Sequence, residues 1–407
     1  MVSKNRPVFK RANAEILVWL FAPPGCIMDQ SIFRKEGTAM RFEKLTNYLE
    51  QLREEKVPDC DLAVWVDHAP VYRHWTGCLK GNETYWLHSA TKVLTMTVAM
   101  QLMEQGKLRL EDPVARYLPA FAHVTVQDGD RVRPAKTVMT VQHLMAMQGG
   151  LDYDFDAPAI QRLLRDSHGD ADTVQMAQCY AVKPLHFDPG LGFRYSLFHD
   201  VLGAVMEVAA GKPLSRLAQE QVLDPLGIGD LTFHPTGDQR ARLAPYYGLD
   251  DNKNLVSLPQ GLNAVCSMPR YESGGGGLMG SVDSYILLAD ALANDGVGKN
   301  GARILSRASI DALRTNRQTG PAAEDFKKVR HKVGYGYGLG VRTLIDPASS
   351  RSPVGEFGWD GAAGAWVMMD EDHHIAAFYA QHVLDYARTY YEFHPAIRDL
   401  IYEGLEM

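Results

Sequence analysis

The chain has 407 residues, 46% apolar and 22% charged, which suits a globular protein with a sizeable core and excludes wholesale disorder. Its formal charge of −7 argues against a protein built to neutralise phosphate backbones, so no nucleic-acid partner is expected. No apolar run reaches the roughly 18 residues a membrane-spanning helix needs.

The first forty residues carry mixed signals. Lys4, Arg6, Lys10 and Arg11 precede the apolar run Ile16 to Ala22 and then Pro23-Pro24-Gly25-Cys26, the outline of an export signal. Glu15 at the head of that run and the two prolines speak against it. The expectation is an N-terminal extension, 1–40, on a cytoplasmic protein, with export or a lipid anchor on Cys26 as the alternative. Five cysteines, Cys26, Cys60, Cys78, Cys179 and Cys266, are an odd number without C-x-x-C spacing, so a reducing compartment fits better than a disulfide framework.

From Phe42 to Leu52 apolar residues recur at helical spacing. Leu62 to Val66 and Val71 to Trp75 flank a short polar turn and predict a β-hairpin. Ala90 to Gly106 predicts a long helix stopped by glycine, and Val141 to Met147 a second ended by Gly149-Gly150. Helical patterns follow at 171–181, 198–210 and 214–222, and after a run of four glycines at Val282 to Ala293. Short strand-like runs close the chain at Tyr337 to Thr343, Val354 to Gly358, Ala363 to Met369 and Ile375 to Gln381, before a helix from Tyr386 to Tyr402. The simplest α+β architecture is one antiparallel sheet built from both ends and flanked by helices, with an all-helical domain inserted. The predicted division is 41–110 plus 265–407 for the sheet domain and 111–264 for the helical one.

Three motifs carry chemistry. Ser89-Ala90-Thr91-Lys92 is the single S-x-x-K of the chain and opens the long helix. That spacing stacks hydroxyl and amine on one helix face, one turn apart. A serine hydroxyl needs a neighbouring base to become a nucleophile, and a lysine held neutral by burial can serve. The plain alternative is a helix cap beside a solvated lysine. Tyr195, in Tyr195-Ser196-Leu197, follows a Pro-Gly loop; a phenol beside an ammonium can act as general base, and the plain alternative is a packing tyrosine. In Phe357-Gly358-Trp359-Asp360-Gly361-Ala362 small residues let a substrate carbonyl approach the backbone, so the N–H groups of Ser89 and Ala362 can form an oxyanion hole.

Taken together and in this order, these motifs resemble the serine β-lactamase-like hydrolases: class C β-lactamases, DD-peptidases and family VIII carboxylesterases. The resemblance covers about 42–400 and includes Gln148-Gly149-Gly150-Leu151 and Gly274 to Leu278 before Ser281-Val282-Asp283. It implies Ser89 as nucleophile, Lys92 and Tyr195 as the acid/base pair and Trp359 to Gly361 as the substrate-side strand. Two departures stand out. Leu197 replaces the usual Asn and Trp359 the usual Lys or His, each removing a polar handle for a β-lactam or peptide. Both look like the esterase branch, which implies an ester substrate with an apolar part.

The expected activity is therefore ester hydrolysis without cofactor, on a small-molecule ester or amide. A β-lactamase, D-amino peptidase or amidase is the first alternative and a non-catalytic ligand-binding member the second. Trp359, Asp360, Gly361, Ala362, Leu197 and Tyr153 are the expected substrate contacts, with Trp86 and Trp366 as further wall candidates. Asp360 either repels anions or pairs with a cation. Gly275 to Gly280 satisfies G-x-G-x-x-G without a βαβ setting, Gln318-Thr319-Gly320 is a rival third motif in a polar loop, and His373-His374 reads as solvated rather than metal-binding.

Overall fold

Leu62 to Val66 must alternate its side chains across a pleated strand, and the structure puts the two sets on different cores. The computed structural model describes residues 41–259, 268–328 and 332–407; the extension 1–40, Cys26 and Cys266 lie outside them. Strands β1 (Cys60–Val66) and β2 (Ala69–Trp75) form the expected hairpin. Its two turn residues, Asp67 and His68, both sit at positive φ, 47° and 65°, the left-handed pair that matches the twist of the flanking strands.

Five strands from the C-terminal quarter complete the sheet: β3 (Tyr335–Tyr337), β4 (Arg342–Leu344), β5 (Phe357–Asp360), β6 (Trp366–Asp370) and β7 (Ile375–Gln381). The order is β3-β4-β5-β6-β7-β1-β2, antiparallel throughout, so the two ends of the chain meet where β7 pairs with β1. Leu62, Val64, Ala377 and Tyr379 face helices α1 (Glu43–Gln51) and α5 (His394–Gly404) through Leu45, Leu49, Ile397 and Ile401. Their neighbours Ala63, Trp65, Ala376 and Phe378 belong to the second core, with α4 (Val282–Ala293) and α2 (Thr91–Glu104). That two-fold alternation is the strand period at work. Helices gather between 141 and 226, including α3 (Phe198–Ala210), which packs on α2.

Three element expectations change. Tyr337 to Thr343 is two strands, not one, because the chain turns at 338–341. Gly340 stands at φ 80°, and a Cβ there would lie 2.2 Å from Met96 Cγ. The central region is not purely helical: Thr125–Asp128 and Arg131–Pro134 form a hairpin across Gly129-Asp130, after an Asp-Gly signal the periodicity reading passed over. The last helix starts later, at His394, after a wider turn at Thr389–Phe393, and Pro395 occupies its first turn, where a missing N–H is harmless. Among the described residues no helix is long and apolar enough to cross a membrane.

Candidate active site

Helix α2 is buried over nearly its whole length, which is why a lysine on it ends up inside the protein. The strand Thr84–Trp86 pairs with Met279–Ser281 and delivers the chain into a short 3-10 turn, His88–Ala90, that runs directly into α2. His88 makes the bend at a left-handed φ of 46°. Ser89 is 9% exposed and Lys92 fully buried.

The lysine amine sits among oxygens. Nζ lies 3.1 Å from Ser89 Oγ, 3.2 Å from the Tyr153 hydroxyl and 2.6 Å from the Gly275 carbonyl. It also lies 4.8 Å from the ring centroid of Tyr195. The Tyr195 hydroxyl accepts a hydrogen bond from Trp359 Nε1 at 2.9 Å. Tyr195 is flanked by the rings of Tyr153, at 5.6 Å, and Trp359, at 5.4 Å. Ser89, Lys92, Tyr153, Tyr195 and Trp359 therefore form one contact chain, assembled from residues up to 270 positions apart in a 407-residue chain.

The glycine run has a structural task the sequence did not reveal. Buried Asp200 accepts hydrogen bonds from Tyr271, at 2.9 Å, and Ser273, at 2.5 Å. A Cβ on Gly275 would stand 2.4 Å from its other oxygen. On the α2 side, Thr95 donates to the Gly274 carbonyl at 2.7 Å and Thr91 accepts from the Leu278 N–H at 3.0 Å. The turn is thereby clamped between two helices with the Gly275 carbonyl aimed at Lys92. Asp200, Ser273, Thr91 and Thr95 were not expected; only the glycines hinted at close backbone packing.

Gly361 continues β5 towards the serine. A Cβ there would lie 2.2 Å from the Leu87 carbonyl oxygen, so the strand end abuts the segment leading into Ser89. Ala362, next in the chain, is half-buried.

Three of the expected substrate contacts are buried. Trp359, Leu197 and Asp360 are 1%, 2% and 0% exposed. Trp359 is packed between Tyr195 and Tyr337 and points its N–H at Tyr195. Asp360 Oδ1 lies 3.0 Å from Lys332 Nζ, a buried ion pair, so of the two expectations for it the cation partner is the one present. Tyr153, 43% exposed, does reach an open wall. A cavity of about 810 Å3 beside the phenols is lined by Tyr153, Tyr195, Phe187, Phe193, Arg194 and Lys183, among others. Trp86 and Trp366 are both buried, Trp366 against His394 on the far core.

The histidines near the site are neutral supports. His88 meets the Tyr246 hydroxyl at 3.0 Å, and burial, with His382 and Lys92 nearby, pushes its imidazole down to about 3. Burial and the neighbouring Lys92 hold His199 well below its ordinary value; its Nε2 lies 3.2 Å from the Met145 carbonyl. Gln318 ties Ala146 and Gln148 together in the interior and is not a third motif. His373 pairs with Asp370 at 2.8 Å, and no metal-holding cluster exists among the described residues.

A family model described as beta-lactamase matches residues 45–390. The chain belongs to the beta-lactamase family. Protein Rv1367c of Mycobacterium tuberculosis (strain ATCC 25618 / H37Rv) is 33% identical over 321 residues, covering 75% of this chain and 79% of that protein. Esterase EstB of Burkholderia gladioli is 30% identical over 368 residues, covering 83% and 89%. Among solved structures, EstCE1, a hydrolase with promiscuous acyltransferase activity, superposes with a TM-score of 0.73 at 24% identity, covering 90% of this chain and 99% of that one. Simvastatin synthase of Aspergillus terreus, in its LovD6 mutant, gives 0.74 at 20% identity, covering 91% and 98%. This beta-lactamase-family chain shares their mixed helix and antiparallel-sheet fold, and it is a serine hydrolase.

Proposed function

We propose that this serine hydrolase cleaves carboxylic esters through an acyl-enzyme on Ser89. The observation that carries the reading is the 3.1 Å approach of Lys92 Nζ to Ser89 Oγ at the buried start of a helix, with the phenols of Tyr153 and Tyr195 beside it. Ser89 Oγ attacks the ester carbonyl while its proton passes to the Lys92–Tyr195 pair. The tetrahedral oxyanion is held by the N–H groups of Ser89 and Ala362, a role supported by the contact of Gly361 with the Leu87 carbonyl. The pair returns the proton to the leaving alcohol. It then takes one from water, whose oxygen attacks the acyl carbon, and hands that proton to Ser89 Oγ as the acyl–oxygen bond breaks, releasing the acid and a free Ser89.

The ester preference rests on what the site lacks. Leu197 is apolar and buried, and the Trp359 N–H is engaged by Tyr195, so neither offers the polar handle that suits a β-lactam or peptide amide. Relatives named as esterases, EstB and the lovastatin esterase of Penicillium rubens, point the same way. The division into 41–110 plus 265–407 and 111–264 puts Ser89 and Lys92 on one part and Tyr153 and Tyr195 on the other, so we place the site at their seam.

The test is Ser89→Ala assayed with p-nitrophenyl butyrate, nitrocefin and a D-alanyl peptide side by side. The wild type should favour the ester, and the variant should lose all turnover with an unchanged circular dichroism spectrum. A fluorophosphonate should add at Ser89. Surviving activity, or an adduct on another residue, refutes the assignment; a preference for nitrocefin or the peptide moves the substrate class to the amidase side.

A further inference from the structure

A lysine amine that takes the Ser89 proton, as proposed above, offers two N–H groups and one lone pair, and Ser89, Tyr153 and Gly275 each place an oxygen within 3.2 Å of Lys92 Nζ. The Gly275 carbonyl can only accept, so one N–H goes there. The Tyr153 oxygen, 3.2 Å away, is placed to accept the other N–H. With the Tyr153 oxygen accepting it, the lone pair is left to face the Ser89 O–H, as a base requires.

The residues on either side of Tyr153 hold it in that place. Lys183 Nζ binds Asp152 at 2.9 Å and Asp154 at 2.6 Å. His186 Nε2 adds a contact to Asp152 at 2.9 Å. Burial pushes the Asp152 carboxyl up, but the hydrogen bonds from His186 and Lys183 outweigh it and keep the group below its ordinary range. The two flanking carboxylates are thus tied outward to 183–186, while the phenol between them reaches inward to Lys92. Leu197 is buried and apolar. The Tyr153 hydroxyl supplies a polar oxygen to the lysine from a different segment of the chain.

We propose that Tyr153 is a positioning residue that directs the Lys92 lone pair at Ser89, with Asp152, Asp154 and Lys183 acting through it as a clamp. This rests on the acyl-Ser89 reading above.

A double-mutant cycle on p-nitrophenyl butyrate hydrolysis tests it. Tyr153→Phe should lower kcat about tenfold, the size of one well-placed hydrogen bond to a charged group, and leave KM within about twofold. Asp152→Asn with Asp154→Asn should lower kcat several-fold in the wild-type background and not at all in the Tyr153→Phe background. Lys183→Gln replaces the double variant if that one fails to fold, as read by its thermal melt. Independent losses that multiply, a Tyr153→Phe enzyme within about twofold of wild-type kcat, or a loss confined to KM would each overturn the inference. Ser89→Ala runs in the same assay. Turnover by that variant refutes the catalytic reading itself, whereas a dead Ser89→Ala beside a fully active Tyr153→Phe refutes only the role of Tyr153.

Discussion

Gly361→Ala is the sharpest probe of the proposed oxyanion site. The added Cβ would stand 2.2 Å from the Leu87 carbonyl oxygen, whereas real Cβ contacts essentially never fall under 3.0 Å. Neither neighbour can yield cheaply. Gly361 donates its N–H to the Ala365 carbonyl at 2.7 Å, and its carbonyl accepts from the Tyr390 hydroxyl at 3.1 Å. Leu87 is fixed by its N–H on the Leu278 carbonyl at 3.0 Å. The strand end and the turn before Ser89 must therefore part by close to an ångström, and the N–H groups of Ala362 and Ser89 part with them. Losing one oxyanion donor, or misplacing it by about 1 Å, costs roughly 100-fold in kcat. We expect kcat with p-nitrophenyl butyrate to fall by about that factor, with KM little changed and a cooperative thermal melt retained. Gly229→Ala is the control, because nothing lies within 4 Å of its added Cβ. A Gly361→Ala enzyme within about threefold of wild type would show that the oxyanion is held elsewhere.

Two other variants separate contact from support. Trp359→Phe removes the N–H that meets the Tyr195 hydroxyl at 2.9 Å; a net loss of about 1 kcal/mol predicts a kcat about fivefold lower at nearly constant KM, and a change confined to KM would make Trp359 a substrate contact after all. Glu207 concerns stability rather than turnover. Burial, reinforced by the charge of Glu272, raises its pKa from 4.5 to about 7. The folded state thus binds the proton more tightly than the unfolded one, so this group's stabilising contribution is full below about pH 4.5 and is lost as pH rises through about 7. The loss is on the order of 3 kcal/mol. Glu207→Gln keeps an oxygen for the Leu214 N–H, now accepted at 3.0 Å, and does not ionise. Its Tm relative to wild type should rise by several degrees between pH 5 and pH 8, as followed by circular dichroism; a difference independent of pH would refute the assignment.

What was legible in the chain was local. The S-x-x-K spacing at a helix start, the hairpin of Leu62 to Val66 with Val71 to Trp75 and the period-two runs Leu62 to Val66 and Ile375 to Gln381 are set by geometry within a few residues; the structure carries them, with the hairpin turn narrowed to Asp67-His68. Legible too, through the order of three motifs, was the fold. What the periodicity blurred were places where a glycine or a turn overrides an apolar run, as at Gly340 and at Gly129-Asp130.

Which way a side chain faces across a site is a different kind of fact. Trp359, Asp360 and Leu197 occupy motif positions, but packing turned them inward: Trp359 onto Tyr195, Asp360 onto Lys332. Nothing near 332 in the sequence marks it as a partner for 360, because a buried carboxylate takes whichever cation the fold brings within reach. The clamp of Asp200 on the glycine turn and of Lys183 on the neighbours of Tyr153 arose in the same way. Spacing along the chain encodes helices, hairpins and motifs; burial and long-range hydrogen bonding, which exist only once the chain has closed on itself, settle what each of those residues touches.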